Sequence, residues 1–250
     1  MKMYYIRFFI SFQFSKFKNE NEILPFTNLK NHLDKFKNVI TSDNKPYGLH
    51  RAREERFFKG KKILSIRKAV EPTFTYVEFD SYVSQSYYLI QTDKIDLKAL
   101  IVILNSKIIK FWLKYKGKMQ GDLFQIDKEP LLNIPISKPK TVIPYIEKAD
   151  IMLLLNKDLQ DQTQKFLRSL ERKFSFMEIS KKLQEWYLLS YAEFIKELEK
   201  KKIKLTISEE AEWETYFMTE AKKALVLNEA IKKTDNEINK MIYNLYGLTQ

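Results

Sequence analysis

Residues 96–117 read DLKALIVILNSKIIKFWLKYKG. Leu97, Leu100, Ile101, Leu104, Ile108, Phe111, Trp112 and Tyr115 recur at i, i+3, i+4 spacing, which predicts one amphipathic helix of about five turns. Asp96 stands where an N-cap belongs, and Gly117 where a C-cap glycine would end the helix. Lys107, Lys110 and Lys114 fall at i, i+3 and i+7, on one face, and Lys116 and Lys118 extend it. Five cations with no acid among them repel one another unless they are solvated or face anions. Either reading suits the spacing.

Upstream of this helix, Lys62–Arg67, Phe74–Phe79 and Tyr82–Ile90 are rich in β-branched and aromatic residues and predict strands. Met1–Phe14 reads as further strand, Asn28–Val39 as a helix carrying Leu29, Leu33 and Phe36, and Thr41–Gly48 as a turn. Downstream, Phe124, Ile126 and Leu131–Ile136 predict short closing strands, and Pro135, Pro139 and Pro144 mark an exit near residue 140. Beyond it the pattern is helical. Tyr145, Ala149, Met152, Asn156, Leu159, Thr163, Phe166 and Leu170 keep a 4-3 alternation across Pro144–Phe174. Ala224, Leu227, Ile231, Thr234, Ile238, Met241 and Leu245 do so across Glu220–Tyr246. Two such stripes suit an antiparallel pair, a seam shared with another subunit, or a plain bundle core, with Asn156, Thr163 and Thr234 as register-fixing polar members. Shorter helices are expected over Ile179–Lys200 and Ile203–Glu214. The fold class is α+β: a mixed α/β domain over 1–140, then a helical, coiled-coil-like region over 141–250.

The net charge of +12 is unevenly spread. Residues 1–140 hold 26 Lys and Arg against 14 Asp and Glu, whereas residues 141–250 hold 18 of each. The whole excess lies in the first region, which points to a polyanionic partner there. Absence of cysteine excludes disulfides, thiolate-bound zinc and thiol catalysis, and fits a reducing cytoplasm. The apolar run of Met1–Phe14 is short, is interrupted by Arg7 and has no small-residue cleavage site after it, so it is not an export signal. No stretch approaches the roughly 20 apolar residues of a membrane span, so no membrane partner is expected. His32 and His50 have no third ligand pattern around them, and no glycine-rich phosphate loop or Pro-Pro turn occurs. The chain is not expected to be a complete enzyme, and it carries no catalytic or metal-binding residue of its own.

Three clusters are candidates for nucleic-acid contact. Arg51, Arg53, Arg56, Lys59, Lys61, Lys62, Arg67 and Lys68 form the first, opposed only by Glu54 and Glu55. Arginine pairs bidentately with guanine O6 and N7, so Arg51 and Arg53, just past a turn, suit base reading. Lys59, Lys61 and Lys62 suit the phosphates; a solvated basic loop is the other reading. The Lys107, Lys110, Lys114 face is the second cluster. In the third, Gly117–Gly121, Lys118 accompanies Gln120, whose amide can pair with adenine N6 and N7; two glycines and a lysine also make an ordinary turn.

Several of these stretches resemble, in order, the C-terminal target-recognition domain of TaqI-like and related type IIG restriction-modification enzymes. They are NLKNHLDKFK at 28–37, YGLHRAR at 47–53, KILSIR at 62–67, SYYLI at 86–90, LNSK at 104–107, LLNIPI at 131–136, Glu212-Trp213 with Phe217, and DNEINKMIYNLYGL at 235–248. Thr27 stands where the family often has proline, and Asn239 where it usually has aspartate. The resemblance implies recognition of double-stranded DNA for an adenine-N6 methyltransferase/endonuclease. It also implies that S-adenosylmethionine and Mg2+ belong to catalytic domains outside this chain, in a separate subunit or a longer polypeptide. From another class comes the alternative of a non-catalytic assembly module that binds a partner protein through its heptad helices, Leu159 and Ile238 among them.

Overall fold

The computed structural model describes residues 20–37, 54–174 and 179–248. The expectations for Met1–Phe14 and Thr41–Gly48, and those for Arg51 and Arg53, fall outside these residues. The chain is mixed α and β, as the sequence predicts. Helices α1 (Glu20–Ile23) and α2 (Thr27–Asp34) come first, then a 3-10 turn at Glu55–Phe58. Strands β1 (Lys62–Ile66), β2 (Lys68–Ala69), β3 (Phe74–Val77) and β4 (Tyr87–Ile90) follow. Next come helices α3 (Leu97–Leu104) and α4 (Lys107–Lys116), strands β5 (Lys118–Gln120) and β6 (Leu123–Gln125), and helix α5 (Lys128–Leu132). The second region is helix α6 (Ile143–Phe174), a 3-10 turn at Leu183–Leu188, and helices α7 (Tyr191–Glu199) and α8 (Ile207–Leu245). Two antiparallel sheets form, in the orders β3-β1-β4 and β2-β6-β5.

The expected single helix over residues 96–117 is two helices. Asp96 caps the first, its Oδ1 accepting from the Lys98 and Ala99 amides at 2.7 and 3.3 Å. Residues Ala99–Leu104 are all buried, so from Ala99 onward α3 is apolar on every side and lies inside the core between the first sheet and α6. Asn105 ends it. Its Oδ1 accepts from the Phe74 amide at 3.1 Å, and its Nδ2 donates to the Phe74 and Ile101 carbonyls at 2.9 and 3.2 Å. Ser106 is extended, at φ −68° and ψ 158°, and its hydroxyl caps α4. This break resets the helical phase. Ile109 and Leu113 are the buried positions of α4, while Phe111 and Tyr115, expected in the apolar stripe, are 64% and 66% exposed.

The LNSK residues are therefore a joint. Leu104 is core, Asn105 ties α3 to β3, Ser106 starts α4, and the Lys107 amide donates to Asn239 Oδ1 of α8 at 2.9 Å. Leu131–Ile136, expected as a strand, is the end of α5 followed by irregular chain. Pro135 has no N–H to give a ladder. Its carbonyl instead accepts from the Tyr246 hydroxyl at 2.5 Å, and that hydroxyl accepts from the Ser137 amide at 3.2 Å.

Helices α6 and α8 run antiparallel. Lys148 meets Glu237 at 2.6 Å, Gln162 meets Glu220 at 2.6 Å, and Lys173 meets Glu209 at 3.2 Å. Their apolar stripes thus face each other within one chain. Asn156, Thr163 and Thr234 do not bond across the pair; each donates to the carbonyl four residues back in its own helix. The buried polar contact across the pair is made instead by Glu220, which accepts from Gln162. Helix α8 begins at Thr206, where a capping box with Glu209 replaces the expected separate helix.

Two large apolar cores result, besides a small cluster of Ile23 with Leu29 and Leu33. The first joins Ile63, Phe74, α3, Ile109 and Leu113 to Tyr145, Ala149 and Met152 of α6 and Ile231, Ile238 and Ile242 of α8. It crosses residue 140. The second gathers Phe166, Leu170, Leu183, Trp186, Phe194 and Phe217, with the Phe166 and Trp186 rings stacked at 3.7 Å between centroids.

Removing Asn105's amide leaves both backbone groups of Phe74 without their partner. Asn105→Ala is expected to lower unfolding stability by about 1–3 kcal/mol, read by urea titration; an unchanged midpoint would refute the joint. Acid should loosen the second core. Burial works to raise the Glu220 carboxyl, and hydrogen bonds from Lys223 and Gln162 with the charge of Lys165 outweigh it, leaving it below the ordinary value. Hydrogen bonds from Lys200 and Ser180 hold Glu197 low as well. A depressed folded pKa stabilises above the unfolded value, about 4.3, and that stability is lost as pH falls through the folded one. Near-ultraviolet circular dichroism of the tryptophans should therefore fade below about pH 4, and less so in Glu220→Gln.

Candidate nucleic-acid interface

Gly117 positions the basic edge of the fold. A Cβ there would lie 2.5 Å from the Leu113 carbonyl oxygen, so only glycine lets the chain leave α4 so tightly and run directly into β5. Gly121 then sits at φ +60° in the two-residue turn between β5 and β6, with Gln120 paired to Leu123. The expected Gly117–Gly121 loop is thus one strand of a hairpin and its turn. Register places Lys68 of β2 and Lys118 of β5 on either side of Gln125 of β6. Directly opposed residues point to one face of a sheet, and so do alternate ones along a strand. Lys68, Lys118, Gln120 and Gln125 therefore share a face, and Lys68 Nζ donates to Gln120 Oε1 at 2.7 Å.

Asp127, just past β6, gathers this group. Its Oδ1 accepts from Gln125 Nε2 at 3.1 Å and lies 3.9 Å from Arg67, while its Oδ2 is 3.5 Å from Lys118 Nζ. The Gln125 amide, the Lys118 ammonium and the Arg67 charge hold its carboxyl below the usual range. Arg67 bridges the two sheets: its amide donates to the Ser86 carbonyl at 2.9 Å, and its own carbonyl accepts from Ile126 at 2.8 Å. The guanidinium lies 5.3 Å from the Tyr88 ring centroid. A half-buried strand end thus presents an arginine beside two lysines, two carboxamides and one carboxylate. These groups combine donors with acceptors, as recognition of base edges requires; phosphate alone needs only donors.

The remaining expected residues divide by environment. Lys62 is a correction. It is fully buried, its ammonium donating to the Gly60 and Phe79 carbonyls at 2.6 and 2.8 Å, and burial lowers its pKa. An ammonium so enclosed is not presented to a phosphate. Lys59 is exposed but paired with Asp80 at 2.9 Å and Glu55 at 3.3 Å, and these contacts, Asp80's first, raise its pKa. Lys61 is exposed and makes no ion pair among the described residues. On α4, Lys107 and Lys114 are exposed and likewise unpaired among the described residues, whereas Lys110 reaches Glu71 at 2.8 Å. Exposed pairs such as Lys118–Asp127 and Lys110–Glu71 are worth little in water and exchange readily for another anion.

The expected contact residues do not include Gln125 and Asp127, whereas Lys68 belongs to the first basic cluster. Gln125 and Asp127 alternate with Leu123 at the two-residue period of a strand, a signal hidden by the shortness of β6. Lys68 lies 52 residues from its Gln120 partner, so nothing local links them.

The cleft of about 420 Å³ between the Val70–Thr73 turn and helices α3, α6 and α8 is of another kind. Ile101, Met152 and Ile238 line it, with Glu71 and Lys110 beside them. Among the described residues, no three His, Asp or Glu side chains are placed to hold a metal ion. No described helix is long and apolar enough to cross a membrane.

Comparison with known families bears directly on this surface. The sequence model of the TaqI-like C-terminal specificity domain matches residues 2–136, more than half of the chain. The chain belongs to that family. Every element of the basic edge, from β1 through β6, lies within the matched residues. Family membership supports DNA-sequence recognition in a restriction-modification setting. A second model, of a domain of unknown function (DUF8810), matches residues 138–242 and so takes in α6, α7 and most of α8. A search of curated proteins finds no match.

Because Lys62 is an internal strut, Lys62→Met is expected to lower the unfolding midpoint while leaving DNA affinity of the folded protein within about twofold. An affinity loss with unchanged stability would return Lys62 to the binding surface. The expected stability loss is about 1–3 kcal/mol, the scale for stranding buried carbonyls.

Proposed function

We propose that this chain is the sequence-specific DNA-recognition part of a type II restriction-modification enzyme, of the type IIG kind. In this reading it selects a duplex site for an adenine-N6 methyltransferase, with or without an endonuclease. Catalysis, S-adenosylmethionine and Mg2+ belong to another domain or subunit, and the chain supplies no catalytic residue. The observation that carries the reading is the face around Asp127. Two segments distant in sequence, the chain at Arg67 and the β5–β6 hairpin, bring Arg67, Lys118, Gln120 and Gln125 together there, inside the region matched by the specificity-domain family.

The roles follow from the chemistry of each group. Arg67 can pair bidentately with guanine, and Gln120 and Gln125 with adenine. Lys59, Lys61, Lys68, Lys107, Lys110, Lys114 and Lys118 supply the phosphate contacts, and Asp127 holds the cations in place until DNA replaces it. Arg51 and Arg53 remain candidates for base reading on the sequence alone. The helical region of residues 141–250 supports the recognition domain and docks it onto the methyltransferase. Assembly through the heptad stripes is less favoured, because Ile238 is buried and Leu159 partly buried between α6 and α8.

Selection from a randomised duplex pool, at low and at moderate salt, tests this reading. A short enriched motif that survives moderate salt is the expected result. Arg67→Ala and Gln125→Ala should each relax the motif at one position and cost about 1–3 kcal/mol there. Lys114→Ala should weaken binding to all sequences and flatten the salt dependence by about one unit of slope. No binding at either salt concentration would overturn the proposal.

A further inference from the structure

Helix α4 exposes a face that phosphate binding does not explain. Lys107, Phe111, Lys114 and Tyr115 follow one another at i, i+4, i+7 and i+8, and all four are exposed. Two lysines thus run along one edge of the face and two rings along the other. The rings touch, with centroids 4.6 Å apart and planes tilted by 49°. Four lysines and no acidic residue occur in α4, so its surroundings favour a polyanion. Yet lysines alone would serve phosphates. Two adjoining aromatic rings in water are unfavourable unless something apolar covers them.

We propose that α4 lies in the major groove of the recognised duplex, with Phe111, and Tyr115 beside it, packed against the methyl group of a thymine. The inference rests on the DNA-recognition reading and names one base it selects. The dimensions agree: a helix with its side chains is about 10–12 Å across, and the groove is about 12 Å wide. Chemistry narrows the choice of base. Apart from the small C5–H of cytosine, the groups on the major-groove edges of the base pairs are hydrogen-bond donors or acceptors, and the thymine C5-methyl is the one sizeable apolar contact. Lys107 and Lys114 on the opposite edge then lie toward the phosphates of one strand. Through Gly117 the same helix leads straight into the hairpin carrying Lys118 and Gln120, so the rings and the carboxamides follow one another along the chain.

The test uses the full chain and the motif obtained from pool selection. Each thymine is replaced singly by deoxyuridine, which removes only the methyl group. Wild type should lose affinity about fivefold at one thymine, the scale of a single base contact. Phe111→Ala should bind the thymine and uracil duplexes alike, and its urea midpoint should match wild type because Phe111 is exposed. Tyr115→Ala should show a smaller loss at the same position. A motif without any methyl-sensitive thymine would overturn the inference and leave the DNA reading standing. So would a Phe111→Ala protein that keeps the thymine preference. A wild-type dimer dissolved by Phe111→Ala would assign the rings to a second copy of the chain instead. Failure to bind any duplex would remove the DNA reading and this inference together.

Discussion

The carboxamide of Asn105 holds the amide and the carbonyl of Phe74, and much of the first region depends on that pairing. It stops α3, fixes the buried helix against β3, and releases the chain to begin α4 at Ser106 in a new direction. A break there decides which side of α4 is buried. Ile109 and Leu113 turn inward, and the lysines and rings turn out. The hairpin that follows inherits its position from this turn through Gly117. Asn239 secures the joint from the far side by accepting from the Lys107 amide, and it donates to the Asp235 backbone and carboxylate in its own helix. An aspartate, which the family usually has at this position, could still accept from Lys107. Its charge would also face that of Asp235, which the carboxamide avoids.

Electrostatics gives the basic residues unequal standing. Lys62 is committed to the interior, and Lys59 and Lys110 are paired with carboxylates. Lys61, Lys107 and Lys114 remain free of ion pairs among the described residues. A sequence count weighs them all equally. Burial and pairing separate those that build the fold from those open to a partner.

The helical region is more than an appendage. One end of the α6–α8 pair completes the first core, and the other end, with α7 and the turn at Leu183–Leu188, builds the second. The proline-rich exit near residue 140 is a change of secondary structure that the hydrophobic core ignores. Pro135 and Ser137 make the same point in miniature, because both bond to Tyr246 across more than 100 residues.

Local pattern was enough to define the mixed class, the helices over 144–174 and 220–246, the strand at 62–67 and the Asp96 cap. Each depends on spacing or on a side chain bonding within three residues, and such information lies in the chain itself. The resemblance to the specificity domain was legible for the same reason: its motifs are short and their order is linear. Tertiary structure decided what spacing cannot carry. The break at Asn105 requires Phe74, 31 residues away, to hold its amide. Burial of Lys62 requires the Phe79 carbonyl to face it. The cluster around Asp127 requires two sheets to meet at Arg67. In each case the deciding partner is distant in sequence, so the energy that fixes the arrangement appears only once the chain has folded.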